Sequence, residues 1–332
     1  MKVYVKTPAR LHMGLIDLKG NLGRIFGGLG VGIDRPNFII EAEESDALNI
    51  EGKGAYTALV ETIVRRFSAT YKVPENVFIR VRRTIPEHVG LGSGTQLSLA
   101  IATALAKIFK LNTSVWELAS AMGRGKRTWV GTAIFSKGGL IIDCGKSLKK
   151  ENSPVEGFPK AVLRFPFPSD WPFVVAIPNV GEGLSGNVED EAFRSISASE
   201  EKIDRTCRII LVKLIPALLE RDIWEFGEAL TTIQTIVGSQ FVSVQGGVFS
   251  NEVTAEGIRL MQNLGACGAG QSSWGPTFYG LFDSLKKAEE TKKAVQSFLM
   301  ERGCGGRVFI AHANNRGAYI RIYREKGCGG KA

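Results

Sequence analysis

The stretch Pro86-Glu-His-Val-Gly-Leu-Gly-Ser-Gly-Thr-Gln96 constrains this chain more than any other. Ahead of it Val77, Ile79 and Val81 alternate with Phe78, Arg80 and Arg82, the two-residue period of a strand. Behind it Leu97, Ala100, Ile101, Ala104, Leu105 and Ile108 recur at helical spacing. The glycines therefore sit between a strand and a helix start, where the chain must turn tightly and where the first helical amides have no partner. Unpaired amides and the helix dipole together suit a phosphate. The loop is neither a Walker A sequence, since no Gly-Lys-Ser/Thr follows, nor a Rossmann G-x-G-x-x-G. Taken alone, it reads equally as a phosphate site and as a tight turn without a ligand.

Composition narrows the remaining classes. At 332 residues and 44% hydrophobic, the chain can bury a substantial core and divide into two domains. A formal charge of +9, from 42 Lys and Arg against 33 Asp and Glu, favours an anionic partner. The densest basic cluster is Arg124, Lys126 and Arg127, with Arg80, Arg82 and Arg83 behind it, and no basic stripe interleaved with aromatics marks a nucleic-acid surface. Five cysteines without a CxxC pair support neither a disulfide framework nor a zinc site. No long uncharged apolar run suggests a membrane span, and the opening Met1-Lys-Val-Tyr-Val-Lys reads as an edge strand rather than a signal peptide, so a cytoplasmic location is expected.

The first 52 residues read as a strand meander, and Leu59, Val60, Ile63, Val64 and Phe67 predict a helix over Tyr56–Tyr71. Ser114 with Glu117 predicts a capping box, and Thr132–Phe135 with Leu140–Ile142 predicts a hairpin. The polar stretch Gly145–Pro159 places a boundary between domains 1–155 and 156–332. Beyond it, Trp171–Pro178 reads as a strand, Ser199–Val237 as helix broken near Pro216, and Thr254–Leu264 as a helix. Thr277–Phe282, Leu285–Arg302, Val308–Ala311 and Ala318–Tyr323 complete an α+β sandwich.

Two further segments join the glycine loop. Thr7-Pro-Ala-Arg-Leu-His-Met-Gly resembles the first motif of the GHMP kinase superfamily, Pro86–Ser93 its second, and Cys267-Gly-Ala-Gly-Gln-Ser-Ser-Trp-Gly-Pro-Thr its third, in the family's order. The resemblance implies an α+β, GHMP-kinase-like two-domain fold, with a ribosomal-protein-S5-like N-terminal domain and a ferredoxin-like C-terminal one. Where many of these kinases carry an aspartate acting as base on the accepting hydroxyl, this chain has Val130-Gly-Thr-Ala-Ile-Phe, without a carboxylate. Homoserine kinases manage without that base, so an ATP-dependent small-molecule kinase remains the alternative. A phosphate-binding regulator on the same fold is a third. Arg10-Leu-His-Met-Gly-Leu-Ile-Asp-Leu, Gly27-Gly-Leu-Gly-Val-Gly-Ile-Asp, Gly90-Leu-Gly-Ser-Gly-Thr-Gln, Arg127-Thr-Trp-Val-Gly-Thr-Ala and Gly270-Gln-Ser-Ser-Trp-Gly-Pro-Thr resemble one branch, the beta-ribofuranosylaminobenzene 5'-phosphate synthases of methanopterin biosynthesis. That resemblance implies the substrates 5-phosphoribosyl 1-diphosphate and 4-aminobenzoate, release of carbon dioxide and diphosphate, and a need for Mg²⁺.

On this reading Gly90, Gly92, Ser93, Gly94 and Thr95 offer backbone amides to phosphate, with charge from Arg124, Lys126 and Arg127. The alternative for the basic cluster is a solvated turn after a helix. Arg10 and Arg24 are candidates to orient a carboxylate or phosphate, or structural ion pairs. His12 and His88 stand inside motifs, as proton carriers or as satisfied structural histidines. For the metal, Asp17, Asp34 and Asp143 are the acids nearest the glycine motifs, with Ser93 as a hydroxyl ligand; Asp143 equally suits a strand-end turn. Asp17 joins Arg10, His12 and Arg24 as a catalytic candidate. Gly270, Gln271, Ser272, Ser273 and Trp274 would close an aromatic pocket, unless Trp274 is only core. The partners are small molecules, with a homodimer left open.

Overall fold

The computed structural model describes residues 1–52, 56–148, 158, 161–181, 183 and 186–323. In chain order the first part holds β1 (Lys2–Lys6), β2 (Ala9–Asp17), β3 (Arg24–Ile33), β4 (Ile39–Glu44), β5 (Asn49–Glu51), α1 (Tyr56–Tyr71), β6 (Val77–Arg83), α2 (Ser93–Ile108), α3 (Val115–Ala121), α4 (Val130–Lys137), β7 (Leu140–Asp143), β8 (Lys146–Ser147) and β9 (Val162–Phe165). The second holds β10 (Phe173–Pro178), α5 (Gly186–Ser195), α6 (Glu200–Ile209), a π-helical turn Ile210–Leu214, α7 (Ile215–Glu220), α8 (Ile223–Gln240), α9 (Val242–Gln245), α10 (Glu252–Asn263), β11 (Gly268–Gln271), β12 (Phe278–Leu281), α11 (Leu285–Glu301), β13 (Gly306–Ala311) and β14 (Tyr319–Tyr323).

Three sheets result, ordered β14-β1-β4-β6-β5, β2-β3-β7-β9 with β8 beside β3, and β11-β12-β10-β13. In β1, Val3 and Val5 are buried while Lys2, Tyr4 and Lys6 are not, and the strand pairs antiparallel with both β4 and β14, so the last described strand closes the first sheet. Against this sheet lies α2, whose small and apolar residues leave no polar face; it is buried along nearly its whole length, packed on β1, β4, α1, α3 and α4. The third sheet has the β-α-β-β-α-β order of a ferredoxin-like unit. Its strands point Val174 and Ala176 towards Ile258 and Met261 of α10 and Val295 and Leu299 of α11. Phe173, Val175 and Tyr279 point the other way, into the main core with Phe226 and Leu230 of α8.

The predicted helix at Tyr56–Tyr71 and the capping box Ser114/Glu117 are both present. The predicted hairpin is not, because Thr132–Phe135 lies in helix α4. A short apolar run fits either period; here the Asp143 carboxylate accepts the Trp129 N–H at 2.6 Å at the helix start, and Gly138, at φ 61°, ends it. Nor does Pro216 break the long helical stretch. The π turn just ahead of Pro216 accommodates a residue with no N–H to give, and the break falls instead at Arg221 (φ 62°), after which Asp222 caps α8 through the Trp224 and Glu225 amides. Helix α10 starts two residues before Thr254, capped by Asn251. Much of the boundary stretch Gly145–Pro159 lies outside the described residues, although Lys146 and Ser147 pair with β3. Among the described residues no helix is long and apolar enough to cross a membrane.

Candidate active site

Ser272, fully buried just beyond β11, ties the three motifs together. Its Oγ accepts the His12 amide at 3.0 Å and donates to the Gly90 carbonyl at 2.6 Å, while the Ser273 amide donates to the His12 carbonyl at 3.1 Å. The Gly90 carbonyl also accepts from Arg10 Nη1 at 3.0 Å. Such closeness needs glycine. Gly90 has φ 86° and a Cβ there would overlap the Ser272 carbonyl oxygen; Gly92, at φ 77°, caps α2, and a Cβ on it would stand 2.8 Å from Arg10 Cγ. Gln234 of α8 completes the joint, donating to the Met13 carbonyl at 2.6 Å and accepting the Gln271 amide at 2.9 Å.

A cavity of about 500 Å³ opens beside this joint. Arg10, Arg66, Arg124 and Lys126 line it, with Thr95 from the first turn of α2. Ser98 fixes the Arg124 guanidinium through bonds of 2.8 and 3.2 Å, close over Gly94. None of these four cations has an ion-pair partner among the described residues. Burial pulls Arg10 down to about 10, opposed by the charge of Glu189; burial, then the like charge of Arg66, lowers Arg124. Gathered cations without counter-ions are costly to the empty protein and attractive to a polyanion.

His12 lines the same wall, and burial followed by the charge of Arg10 pushes it down to about 3, so its imidazole is neutral near pH 7. With the folded pKa below the ordinary 6.5, the unfolded chain takes the proton first. The stability His12 contributes is therefore complete above about pH 6.5 and is lost as pH falls towards 3, by up to about 1.4 kcal/mol per unit. His12→Gln should flatten this acid limb. Denaturant midpoints at neutral and at about pH 4.5 check it, and an unchanged slope would remove His12 as the source.

Part of the lining is aromatic. Phe193 of α5, Phe241 and Trp274 meet edge to face, with ring centroids 5.5, 5.1 and 5.9 Å apart. Helix α5 also supplies Glu189 and Asp190. Arg127 pairs with Glu189 at 3.1 Å and with Asp190, and its guanidinium lies 4.0 Å over the Phe193 ring. It is thus already neutralised, unlike its neighbours Arg124 and Lys126. Trp274 Nε1 donates to Glu189 at 2.9 Å, so this tryptophan faces the cavity as well as the core.

Several candidates are engaged elsewhere. The Asp17 carboxylate accepts the Lys19 and Gly20 amides, both at 2.8 Å, closing the β2–β3 turn. Arg24 donates to the carbonyls of Cys144, at 2.8 Å, and Gly145, and to Ser147 Oγ at 2.8 Å. Asp143 is fully buried, its oxygens taken by the Trp129 and Gly145 amides, and burial raises its pKa despite them. Asp34 accepts the His312 amide. None of these four lines the cavity, and neither do Gly90, Gly92, Ser93, Gly94, Gly270 or Ser272, which form the wall behind it. Gly94 is helical, so the left-handed geometry belongs to Gly90 and Gly92. Arg66, Glu189, Asp190, Phe193 and Phe241 escaped sequence reading. One signal was available: Glu189 and Phe193, four apart, share a helix face.

Residues 58–137 match the GHMP kinases N terminal domain and residues 214–300 the GHMP kinases C terminal domain. A beta-ribofuranosylphenol 5'-phosphate synthase from Methanothermobacter thermautotrophicus is 33% identical over 96% of this chain and 99% of its own length. One from Archaeoglobus fulgidus is 34% identical over the same shares. Among solved structures, a homoserine kinase from Cytophaga hutchinsonii superposes with a TM-score of 0.68 at 16% identity, covering 96% of this chain and 97% of its own, a likeness of fold.

Proposed function

This chain belongs to the GHMP kinase superfamily and, within it, to the beta-ribofuranosylphenol 5'-phosphate synthase family, and from that premise we propose that it joins the ribose 5-phosphate of 5-phosphoribosyl 1-diphosphate to the ring of a 4-substituted benzoate. Carbon dioxide and diphosphate leave. One observation carries the reading: a cluster of cations without ion-pair partners and an aromatic wall face the same cavity. The cations come from 1–155 and the wall from 156–332, so in this proposal each domain receives one substrate. The work is that of a cytoplasmic enzyme on small molecules, with no nucleic acid or membrane involved.

Breaking the bond to diphosphate leaves positive charge on the anomeric carbon. Arg10, Arg66, Arg124 and Lys126 would gather the leaving phosphates, aided by Thr95 in the first turn of α2, and position matters more than acid–base strength. The group opposite the acceptor's carboxylate pushes electrons to the carbon that bears it. That carbon bonds to the sugar, and the bond to carbon dioxide then breaks, its electron pair restoring the aromatic ring. Because a carboxylate departs in place of a proton, that carbon needs no base. Neutral His12 is suited to hydrogen-bond a sugar hydroxyl.

Magnesium suits this site only as a companion of the diphosphate. Among the described residues no group of three or more His, Cys, Asp or Glu could hold a metal, and Asp143 is spent on two backbone amides. No step here depends on the ion. The sequence resemblance favours 4-aminobenzoate, and the relatives' name, a phenol, favours 4-hydroxybenzoate. Both groups donate into the ring. Kinase chemistry is the weaker reading because α4 carries no carboxylate where many of the kinases place their base. The acceptor chemistry is tested with 4-nitrobenzoate, which keeps the flat ring and the carboxylate but withdraws electrons. It should compete with the true acceptor and release no carbon dioxide; turnover comparable to the amine would show that the ring carbon is not the nucleophile.

A further inference from the structure

Four cations without ion-pair partners line the cavity, and the only carboxylates lining it among the described residues, Glu189 and Asp190, stand beside the aromatic wall, where Glu189 receives Trp274 Nε1 and both acids pair with Arg127 over the Phe193 ring. Both belong to α5. Glu189 Oε1 receives Trp274 Nε1 at 2.9 Å and lies 3.1 Å from Arg127 Nη1, while no hydrogen bond engages Oε2 among the described residues. Asp190 pairs through Oδ1 with the same arginine. Among the described residues Arg127 pairs with Glu189, Asp190 shares that arginine, and Arg10 feels the Glu189 charge.

A 4-substituted benzoate is a short rod with a carboxylate at one tip and a hydrogen-bearing donor at the other. Like charge keeps its carboxylate away from Glu189 and Asp190, and the cavity's cations without ion-pair partners, Arg10, Arg66, Arg124 and Lys126, attract it. A ring seated along Phe193 and Trp274 would then carry its donor tip at Glu189 and turn its attacking carbon away from the two acids.

Resting on the synthase reading above, we infer that Glu189 is the general base for the acceptor's donor group. As the ring carbon bonds to the sugar, the acceptor's hydroxyl becomes acidic, and its proton passes to Glu189 Oε2, leaving a ring ketone; an amine instead carries the charge as an iminium and does not depend on the transfer. Departure of carbon dioxide returns the C–C electron pair to the ring, and the donor atom takes its proton back from Glu189. Atoms and charge balance without another reactant.

The test is Glu189→Gln, which keeps an acceptor for Trp274 and removes the base. With 4-hydroxybenzoate, whose neutral oxygen donates weakly, kcat should fall about 100-fold at neutral pH. The variant's rate should then climb about tenfold per pH unit towards the ionisation of a tyrosine-like phenol near 10, while wild type stays flat. With 4-aminobenzoate, whose nitrogen donates without losing its proton, the loss should be several times smaller, and that residual turnover reports that the variant is folded. Equal losses on both acceptors with no rise in pH would overturn the proposal and leave Glu189 as a support for Trp274. A second measurement needs no variant: 4-methoxybenzoate has the donating oxygen but no proton, so wild type should bind it and release no carbon dioxide, and turnover matching the hydroxy acid would overturn the role. Wild type that releases no carbon dioxide from either natural acceptor would fail the synthase reading itself and the proposal with it.

Discussion

Arg10→Met should lower kcat/KM for phosphoribosyl diphosphate by about 100-fold, the usual cost of removing one preorganised charge stabiliser from a desolvated site. The same change should leave the fold as stable as wild type, or more so. Arg10 is half-buried without an ion-pair partner among the described residues, and methionine of similar length relieves that charge. The Gly90 carbonyl keeps its bond from Ser272 Oγ, so no buried acceptor is orphaned. Opposite movements of activity and stability are what a binding residue produces and a structural one does not. Kinetics beside denaturant melts check this; wild-type activity, or a clear loss of stability, would return Arg10 to a structural role.

Gly90→Ala should do the reverse and damage the fold. The new methyl would overlap the Ser272 carbonyl oxygen, stand 3.3 Å from that of Gly275, and hold an alanine at φ 86°. Left-handed strain and overpacking together should cost about 3 kcal/mol or more, with activity lost because the three motifs no longer meet. Gly94→Ala is the comparison. That position is helical, and its Cβ would stand 3.3 Å from the end of the Arg124 side chain, which can yield, so stability should be nearly kept. Thermal unfolding of both variants decides; a Gly90→Ala protein as stable as wild type would mean that the two loops are not packed as described.

Local chemistry made much of this legible from the sequence. Helix α1 announces itself through Leu59, Val60, Ile63, Val64 and Phe67, and Ser114 with Glu117 marks the start of α3, because periodicity and capping are settled within a few residues. The helix at Thr132–Phe135 depends on Asp143, on the far side of a turn, and no local pattern shows that. The helix continues through Pro216 because a π turn absorbs it. At the site, motif order brought Arg10, His12, Thr95, Arg124, Lys126, Gln271, Ser273 and Trp274 to one cavity, and the glycines behind it are demanded by close approach. Basic residues adjacent in sequence did not share a state: Arg127 is neutralised by Glu189 and Asp190, 62 and 63 residues on, which no local pattern reveals. Those acids and Phe193 lie on α5, a short polar helix whose importance comes only from what it covers.

Carboxyl-labelled 4-hydroxybenzoate and 4-aminobenzoate, each incubated with the protein, magnesium and phosphoribosyl diphosphate, test the central claim most directly. Labelled carbon dioxide and diphosphate should appear together in a one-to-one ratio with at least one of the two acids, because ring attack and decarboxylation share one intermediate. Diphosphate released without labelled carbon dioxide would mean hydrolysis or attack through the substituent, and would contradict a carbon–carbon bond formed in this cavity.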